Sequence, residues 1–368
     1  MMKNKVRHLL GISGGKDSAA LAIYLRDKYP TLDIEYYTCD TGKELDETYG
    51  LIDKLEDYLG KKITKLKGSN SNKDPFDHFF NIYGGYLPSS SSRWCTKKLK
   101  LDPFEDFVGN DPVISYVGIR GDEDREGYIS RKSNIQSIFP FRKNIWSEDV
   151  IGKVLRNENI PALIEIYTFQ NANNVDHRTL QILEQYVSPK NTIQQKLNLI
   201  LDRGIKQFNS AVFEFLKTTS YPLATESEFL LVGNEEILIR DDIFNILKTS
   251  GVGIPAYYNK IDFEVNGKKG AYARSRSGCF FCFFQQKIEW VWLMEQHPDL
   301  YQKAMEYENA KEGFTWTQHE SLEEMRRPER VQAIKEEYLK RNNFKSKSSL
   351  LLDLLDDSES EGCASCFI

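Results

Sequence analysis

Short apolar stretches alternate with longer stretches of helical periodicity over the first third of the chain. The short stretches have the length of buried strands, and the longer ones repeat apolar residues every three or four positions. This alternation predicts an α/β fold with a twisted parallel sheet covered by helices on both faces. The predicted strands are residues 6–12, 34–38, 63–66 and 113–119, and the predicted helices are residues 19–29 and 44–59.

The middle of the chain has a different pattern. Residues 164–250 are mostly helical in periodicity, with one strand-like hairpin at 229–239, and we interpret them as a helical insertion. A charged helical segment follows later, and Pro328 predicts a break within it. The predicted parts are a nucleotide-binding domain (1–163), the insertion (164–250), a cysteine-pair segment completing the catalytic domain (251–320), a C-terminal helical segment (321–349) and an acidic mobile tail (350–368).

Composition and charge narrow the class of protein. The 368 residues are 40% hydrophobic and 28% charged, which is a globular composition. There is no apolar run of spanning length and no secretory leader, so we expect no membrane association and a cytoplasmic location. The net charge of −5 comes from five acidic residues after position 349, and the rest of the chain is neutral. A nucleic-acid site must therefore come from local clustering of basic residues.

The strongest local signal is the segment Ser13-Gly14-Gly15-Lys16-Asp17-Ser18 between a predicted strand and a predicted helix. Glycines let the backbone approach an anion, the helix N-terminus favours negative charge, and the serine hydroxyls and Lys16 add donors. The alternative is an ordinary glycine turn capped by serine. In this strand–helix context we predict a nucleotide site.

This segment resembles the S-G-G-x-D-S signature of the PP-loop ATP pyrophosphatase superfamily. The resemblance implies an adenine nucleotide alpha hydrolase-like fold and binding of ATP with Mg²⁺. Asp40-Thr41-Gly42 resembles the superfamily's D-T-G element, which would make Asp40 a nucleotide contact. The resemblance makes Asp17 a magnesium contact, although an acid at a helix start can also be a simple cap.

Three further segments carry a narrower resemblance. Residues 92–100 read S-R-W-C-T-K-K-L-K, residues 118–125 read G-I-R-G-D-E-D-R, and residues 277–282 read S-G-C-F-F-C. Together with the glycine loop they resemble the PAPS reductase branch, above all the DndC-type DNA phosphorothioation enzymes. The resemblance covers residues 6–160 and about 251–290. The chain departs from iron–sulfur sulfonucleotide reductases, which have adjacent cysteines where this chain has Cys95-Thr96.

The cysteines suggest a metal site. Cys279 and Cys282 are spaced so that both thiolates can reach one metal or cluster, and Cys95 can supply a third ligand. Three ligands favour a [4Fe-4S] cluster with one open iron, which the resemblance to tRNA-thiolating relatives links to sulfur transfer. Zinc, with Cys363 and Cys366 completing four ligands, and free thiols remain alternatives. Cys39 is predicted to pack as a small apolar group.

Arginines after the fourth predicted strand are candidate anion contacts. Arg120 and Arg125 present guanidinium groups suited to phosphate or sulfate. The alternative is a salt-bridge network with the neighbouring acids Asp122, Glu123 and Asp124. We predict four catalytic residues and a larger set of nucleotide contacts. The catalytic set is Lys16, Asp17, Arg120 and Cys95, and the nucleotide contacts are Ser13 to Ser18, Asp40, Thr41, Gly42, Arg120 and Arg125.

Three functions fit these residues. The first is an ATP-dependent sulfurtransferase that adenylates a nucleic acid or another phosphate-bearing acceptor and transfers sulfur from the cysteine-bound cluster. Its sulfur donor, by resemblance, is a cysteine desulfurase. The second is a sulfonucleotide reductase that releases sulfite from PAPS or APS. The third is a non-catalytic nucleotide-binding subunit whose insertion docks a partner in a larger assembly.

Overall fold

The computed structural model describes residues 5–69, 71–123, 130, 132–172, 175–317 and 320–345. These residues contain a five-stranded parallel sheet in the order β3-β2-β1-β4-β5. Its strands are β1 (Arg7–Gly11), β2 (Ile34–Cys39), β3 (Ile63–Leu66), β4 (Val113–Tyr116) and β5 (Ile135–Ile138). The predicted α/β fold is confirmed.

The sheet buries both of its faces because side chains alternate along each strand. Leu10 and Ile114 pack on one face with the first two helices. Leu9 and Tyr37 pack on the other face against Phe104. Such two-sided burial is typical of parallel sheets.

Helices connect and cover the strands. The α-helices are α1 (Lys16–Lys28), α2 (Asp46–Leu59), α3 (Pro75–Ile82), α4 (Trp94–Thr96), α5 (Asp102–Val108), α6 (Glu148–Val154), α7 (Ile160–Gln170), α8 (His177–Glu184), α9 (Ile193–Leu201), α10 (Ile205–Leu216), α11 (Arg240–Thr249), α12 (Lys287–Gln296), α13 (Pro298–Glu306), α14 (Leu322–Met325) and α15 (Pro328–Lys345). A π-helical turn, Lys97–Leu101, joins α4 to α5. An antiparallel hairpin, β6 (Ile261–Val265) and β7 (Lys268–Tyr272), precedes α12.

Two local predictions need correction. The strand-like hairpin predicted at 229–239 is wrong, because the chain forms a 3₁₀ turn at Leu230–Gly233 and irregular backbone around it. Its apolar residues Phe229 and Leu231 instead lie in the core formed with the helices of the insertion. Strand β5 was not predicted, since Ile135–Ile138 is too short to stand out as an apolar run. The predicted break at Pro328 is confirmed by the start of α15.

The described residues form two large apolar clusters, the first of which includes one face of the sheet. The first joins α1 to the insertion, so that Leu21 of α1 lies in one core with Phe208 and Leu247. The second joins α3, the hairpin and α12 to α15, with Trp290 and Trp292 buried at its centre. These tryptophans therefore pack in the core. None of the helices in the described ranges combines the length and apolarity needed to cross a bilayer.

The order of the strands places the candidate loops together. The chain runs outward from β1 to β2 and β3 on one side, then crosses to β4 and β5 on the other. In open parallel sheets, ligands bind at the carboxyl ends of the strands where this order reverses. Here that switch point lies between β1 and β4, so the loops after both strands face one crevice.

Candidate functional site

The glycine loop joins the carboxyl end of β1 to the first turn of α1. Gly14 has a φ of 71°, and a Cβ added there would lie 2.2 Å from Thr48 Cγ2 of α2. The hydroxyls of Ser13 and Ser18 lie 3.0 Å apart, and Ser18 Oγ accepts a hydrogen bond from the Ser13 N–H at 3.2 Å. The loop is therefore a tight strand–turn–helix connection in which only glycine fits at position 14.

Lys16 and Asp17 are buried at the start of α1. Lys16 Nζ lies 3.3 Å from Asp17 Oδ2, and Arg120 Nη1 donates to Asp17 Oδ1 at 2.8 Å. The two carboxylate oxygens of Asp17 thus each face a cation from this chain. This pairing ties the glycine loop to the segment after β4, and it makes Asp17 a poor first choice for a magnesium ligand.

Arg120 is part of a compact ion-pair network. Its side chain is 2% exposed, and besides Asp17 it pairs with Asp122 at 2.9 Å and Glu123 at 2.7 Å. The salt-bridge alternative from the sequence is therefore present at Asp122 and Glu123. Asp124 and the predicted anion contact Arg125 lie outside the described residues.

The element after β2 forms a second turn at the same edge. Asp40 Oδ1 accepts hydrogen bonds from the Gly42 N–H at 2.9 Å and from the Tyr49 hydroxyl at 3.1 Å. The Thr41 hydroxyl donates to Glu44 Oε2 at 2.7 Å. Burial raises the pKa of Glu44 above its usual value. Glu44 was not predicted as a site residue, because an acid at a helix start usually indicates a cap.

The cysteine-pair segment packs directly on the glycine loop. The Ser277 hydroxyl donates to the Ser13 carbonyl at 3.3 Å, and Lys16 Nζ donates to the Ser275 carbonyl at 3.4 Å. A Cβ added at Gly15 would lie 2.7 Å from Ser277 Oγ. The glycine loop and the late cysteine motif are thus in contact. The residues of the first contact, Ser13 and Ser277, are 264 positions apart in the sequence.

Two adjacent tyrosines also close over the loop. The Tyr257 hydroxyl donates to the Gly14 carbonyl at 3.0 Å. The Tyr258 hydroxyl accepts from the Lys16 N–H at 3.3 Å, and Lys16 Nζ lies 5.2 Å from the centre of its ring. Neither tyrosine was predicted. The only sequence signal was a Tyr-Tyr pair upstream of the cysteine motif, and apolar packing explains such a pair equally well.

Cys279 lies beside the element after β2. Its Sγ is 3.3 Å from Thr41 Oγ1 and 4.0 Å from Glu44 Oε1. The Cys282 N–H donates to the Cys279 carbonyl at 3.1 Å, which folds the motif into a turn in which both residues are partly buried. Burial, followed by the negative charge of Glu44, raises the pKa of Cys279, and burial raises the pKa of Cys282.

Cys95, Cys279 and Cys282 are the predicted ligands of a [4Fe-4S] cluster or zinc. Cys95 and Cys279 pack against the same apolar cluster. Within the described ranges, however, no three His, Cys, Asp or Glu side chains are grouped closely enough to hold a metal ion. The arrangement does not fit a three-cysteine cluster. Cys363 and Cys366 lie outside the described residues, and Cys39 is buried on β2 as predicted.

The basic segment around Cys95 is partly neutralised. Lys97 and Lys98 both pair with Asp102, at 2.6 Å and 2.7 Å. That acid lies just past the segment 92–100, which contains none itself. The positive charge near the thiols therefore comes less from these two lysines than the sequence suggests.

Comparison with known proteins agrees with the fold and the loop. Residues 7–164 match the family described as phosphoadenosine phosphosulfate reductase domain. The chain is 33% identical over 152 residues to the uncharacterized protein MJ0066 of Methanocaldococcus jannaschii, covering 38% of this chain and 30% of that protein. It is 28% identical over 171 residues to the uncharacterized protein MJ0973 of the same organism, covering 43% of this chain and 39% of the relative.

These alignments span well under half the length of either relative, so they describe a shared domain. The matched range contains the glycine loop, the element after β2 and Arg120, all at the switch point of the sheet. Residues 7–164 of this chain are accordingly similar to the phosphoadenosine phosphosulfate reductase domain.

Proposed function

We propose that this chain is a nucleotide-dependent sulfurtransferase in which ATP activates an acceptor at the glycine loop and the Cys279–Cys282 pair supplies the sulfur. The observation that carries the proposal is the 3.3 Å contact between Thr41 Oγ1 and Cys279 Sγ. This contact joins the nucleotide-binding edge of the sheet to a thiol that lies far away in sequence. A thiol at this edge can act on an intermediate formed there.

In the activation step, an acceptor oxygen attacks the α-phosphorus of ATP, the bond to the β-phosphate breaks, and pyrophosphate leaves. The N-terminus of α1 and the Lys16 ammonium stabilise the negative charge on the leaving group. Magnesium supplies further neutralisation of the phosphates. Asp40 fits this ion better than Asp17, since both Asp17 oxygens already pair with cations.

In the transfer step, a persulfide on Cys282 attacks the adenylated atom and AMP leaves. The Cys279 thiolate then attacks the Cys282 sulfur, which releases the thiolated product and leaves a Cys279–Cys282 disulfide. A small thiol reductant reopens the disulfide. The proposed sulfur donor is a cysteine desulfurase, and the proposed acceptor is a nucleic acid.

The experiment measures the two steps separately. The full chain is incubated under anaerobic conditions with ATP, magnesium and candidate DNA or tRNA acceptors, and pyrophosphate and thiolated product are quantified. Lys16→Ala should lose both signals. Cys279→Ser and Cys282→Ser should lose the thiolated product and keep the pyrophosphate burst. Loss of pyrophosphate release in both cysteine variants would contradict the assignment of the thiols to the second step.

A sulfonucleotide reductase is the second candidate, because the family matched over residues 7–164 is described by that activity. In that case the bound nucleotide carries a sulfate group, and a thiol reductant releases sulfite from it. The same purified chain is given PAPS or APS with a thiol donor. Sulfite release without pyrophosphate release decides for the reductase, and pyrophosphate release with a thiolated acceptor decides for the sulfurtransferase.

A further inference from the structure

Arg274 is a buried arginine next to the cysteine pair. Arg274 is 3% exposed, and its Nη2 donates to the Cys279 carbonyl at 3.2 Å. Its Nε and Nη1 are buried without any hydrogen-bond partner. Two of the three guanidinium nitrogens therefore lack a hydrogen-bond partner, and the third contacts the Cys279 carbonyl.

Arg274 differs from Arg120 in having no carboxylate partner among the described residues. Both guanidinium groups are almost fully buried, but Arg120 pairs with three carboxylates. In the part of the chain that the structure describes, no carboxylate lies within 4.0 Å of the Arg274 guanidinium. A buried charge without a partner costs several kcal/mol. Such a residue is expected where a ligand supplies the opposite charge.

The surroundings indicate where that ligand sits. The Arg274 backbone N–H donates to the Tyr257 carbonyl at 2.9 Å, and the guanidinium lies 5.9 Å from the Trp292 ring centre. The charges of Arg276, Arg274 and Lys100 all act on the Cys282 thiol and oppose the effect of its burial. Three cations therefore lie near enough to Cys282 to favour an anion at that thiol.

We propose that Arg274 binds a small sulfur anion, hydrosulfide or sulfite, at the Cys279–Cys282 pair. The proposal rests on the proposed function in that it assigns the same thiols to sulfur chemistry. It adds the chemical class of the ligand and the residue that recognises it. Hydrosulfide is the sulfur species released when a thiol reductant cleaves a persulfide on Cys282, and sulfite is the product expected of a reductase.

The first test compares two alkylating reagents on the full, reduced chain. Iodoacetate is an anion and iodoacetamide is neutral, and both react with the same thiolate, so their rate ratio at Cys282 does not depend on the thiol pKa. Peptide mass spectrometry measures this ratio relative to a free cysteine peptide. We expect a preference for iodoacetate of about fivefold in the native chain, the size of one nearby charge in a wet site.

Two variants and one control complete this test. Arg274→Met should remove the preference, and Arg274→Lys should keep most of it because the charge remains. Lys269→Met removes one exposed positive charge from β7 and should leave the ratio unchanged. Because it eliminates an unpaired buried charge, Arg274→Met should melt at the native temperature or above it. A native ratio at parity, or a Cys282 that neither reagent reaches, overturns the proposal.

The second test measures ligand binding. Sodium sulfite or sodium sulfide should raise the melting temperature of the native chain more than chloride at equal ionic strength, and Arg274→Met should lose this increase. Stabilisation by sulfite identifies the reductase ligand, and stabilisation by sulfide identifies the transferase ligand. No stabilisation by either anion contradicts the proposal. Neither test requires nucleotide or turnover. Both therefore measure anion binding at Arg274 even if the chain proves not to be a sulfurtransferase.

Discussion

The close approach of the glycine loop to α2 can be tested at Gly14. Substitution by alanine puts a side chain on a residue with a φ of 71° and places its Cβ 2.2 Å from Thr48 Cγ2. Left-handed backbone costs an L-residue about 1–2 kcal/mol. Overpacking a buried contact costs about 1–3 kcal/mol more, and Thr48 is 1% exposed and β-branched, so it cannot move away freely. Gly14→Ala should therefore lower the free energy of unfolding by about 2–5 kcal/mol.

Gly60 provides a matched control. It ends α2 with a φ of 61°, and a Cβ added there meets no atom within 4 Å. Gly60→Ala should therefore cost only the backbone contribution, about 1–2 kcal/mol. Adding Thr48→Ser to Gly14→Ala removes the clashing methyl group and should restore the steric part of the loss. Urea unfolding followed by circular dichroism measures all four proteins. Equal losses for Gly14→Ala and Gly60→Ala would refute the reasoning.

Three further predictions follow from particular contacts. Gly15→Ala should reduce nucleotide-dependent activity more than stability, because its Cβ would push Ser277 off the loop, and adding Ser277→Ala should restore activity in the same assay. Burial lowers the pKa of His8 to about 4, so the unfolded state binds a proton at a higher pH than the folded state does. The free energy of unfolding should therefore fall by up to about 3 kcal/mol as the pH drops from 6.5 to 4. His8→Gln should flatten that part of the plot of unfolding free energy against pH. Hydrogen bonding to Arg330 lowers the pKa of Glu320 to about 2. The Glu320 carboxylate therefore stabilises the folded state fully above pH 4.5, and this stabilisation is lost as the pH falls through 2. Glu320→Gln should lower the free energy of unfolding by about 1–3 kcal/mol at neutral pH and should not change it below pH 2, as measured by urea unfolding.

Local patterns were sufficient for the elements around the glycine loop. The predicted bounds of β3 and of α9 match the structure at both ends. The segment 229–239 failed because two short apolar blocks separated by a turn satisfy a hairpin and an irregular packed segment equally well.

The sequence by itself determined the alternating α/β order, the glycine loop after β1, the turn after β2 and the presence of a late cysteine pair, because each depends on neighbouring residues. Only the tertiary structure decided which distant residues reach that loop. The contacts from Tyr257 to Gly14 and from Ser277 to Ser13 span 243 and 264 residues, and no local pattern encodes such a closure. Arg120 and Arg274 look alike in sequence, as basic residues near candidate motifs. Packing alone gave one of them three carboxylates and left the other with a hydrogen bond to the Cys279 carbonyl but no carboxylate, since burial and ion pairing are properties of the folded chain.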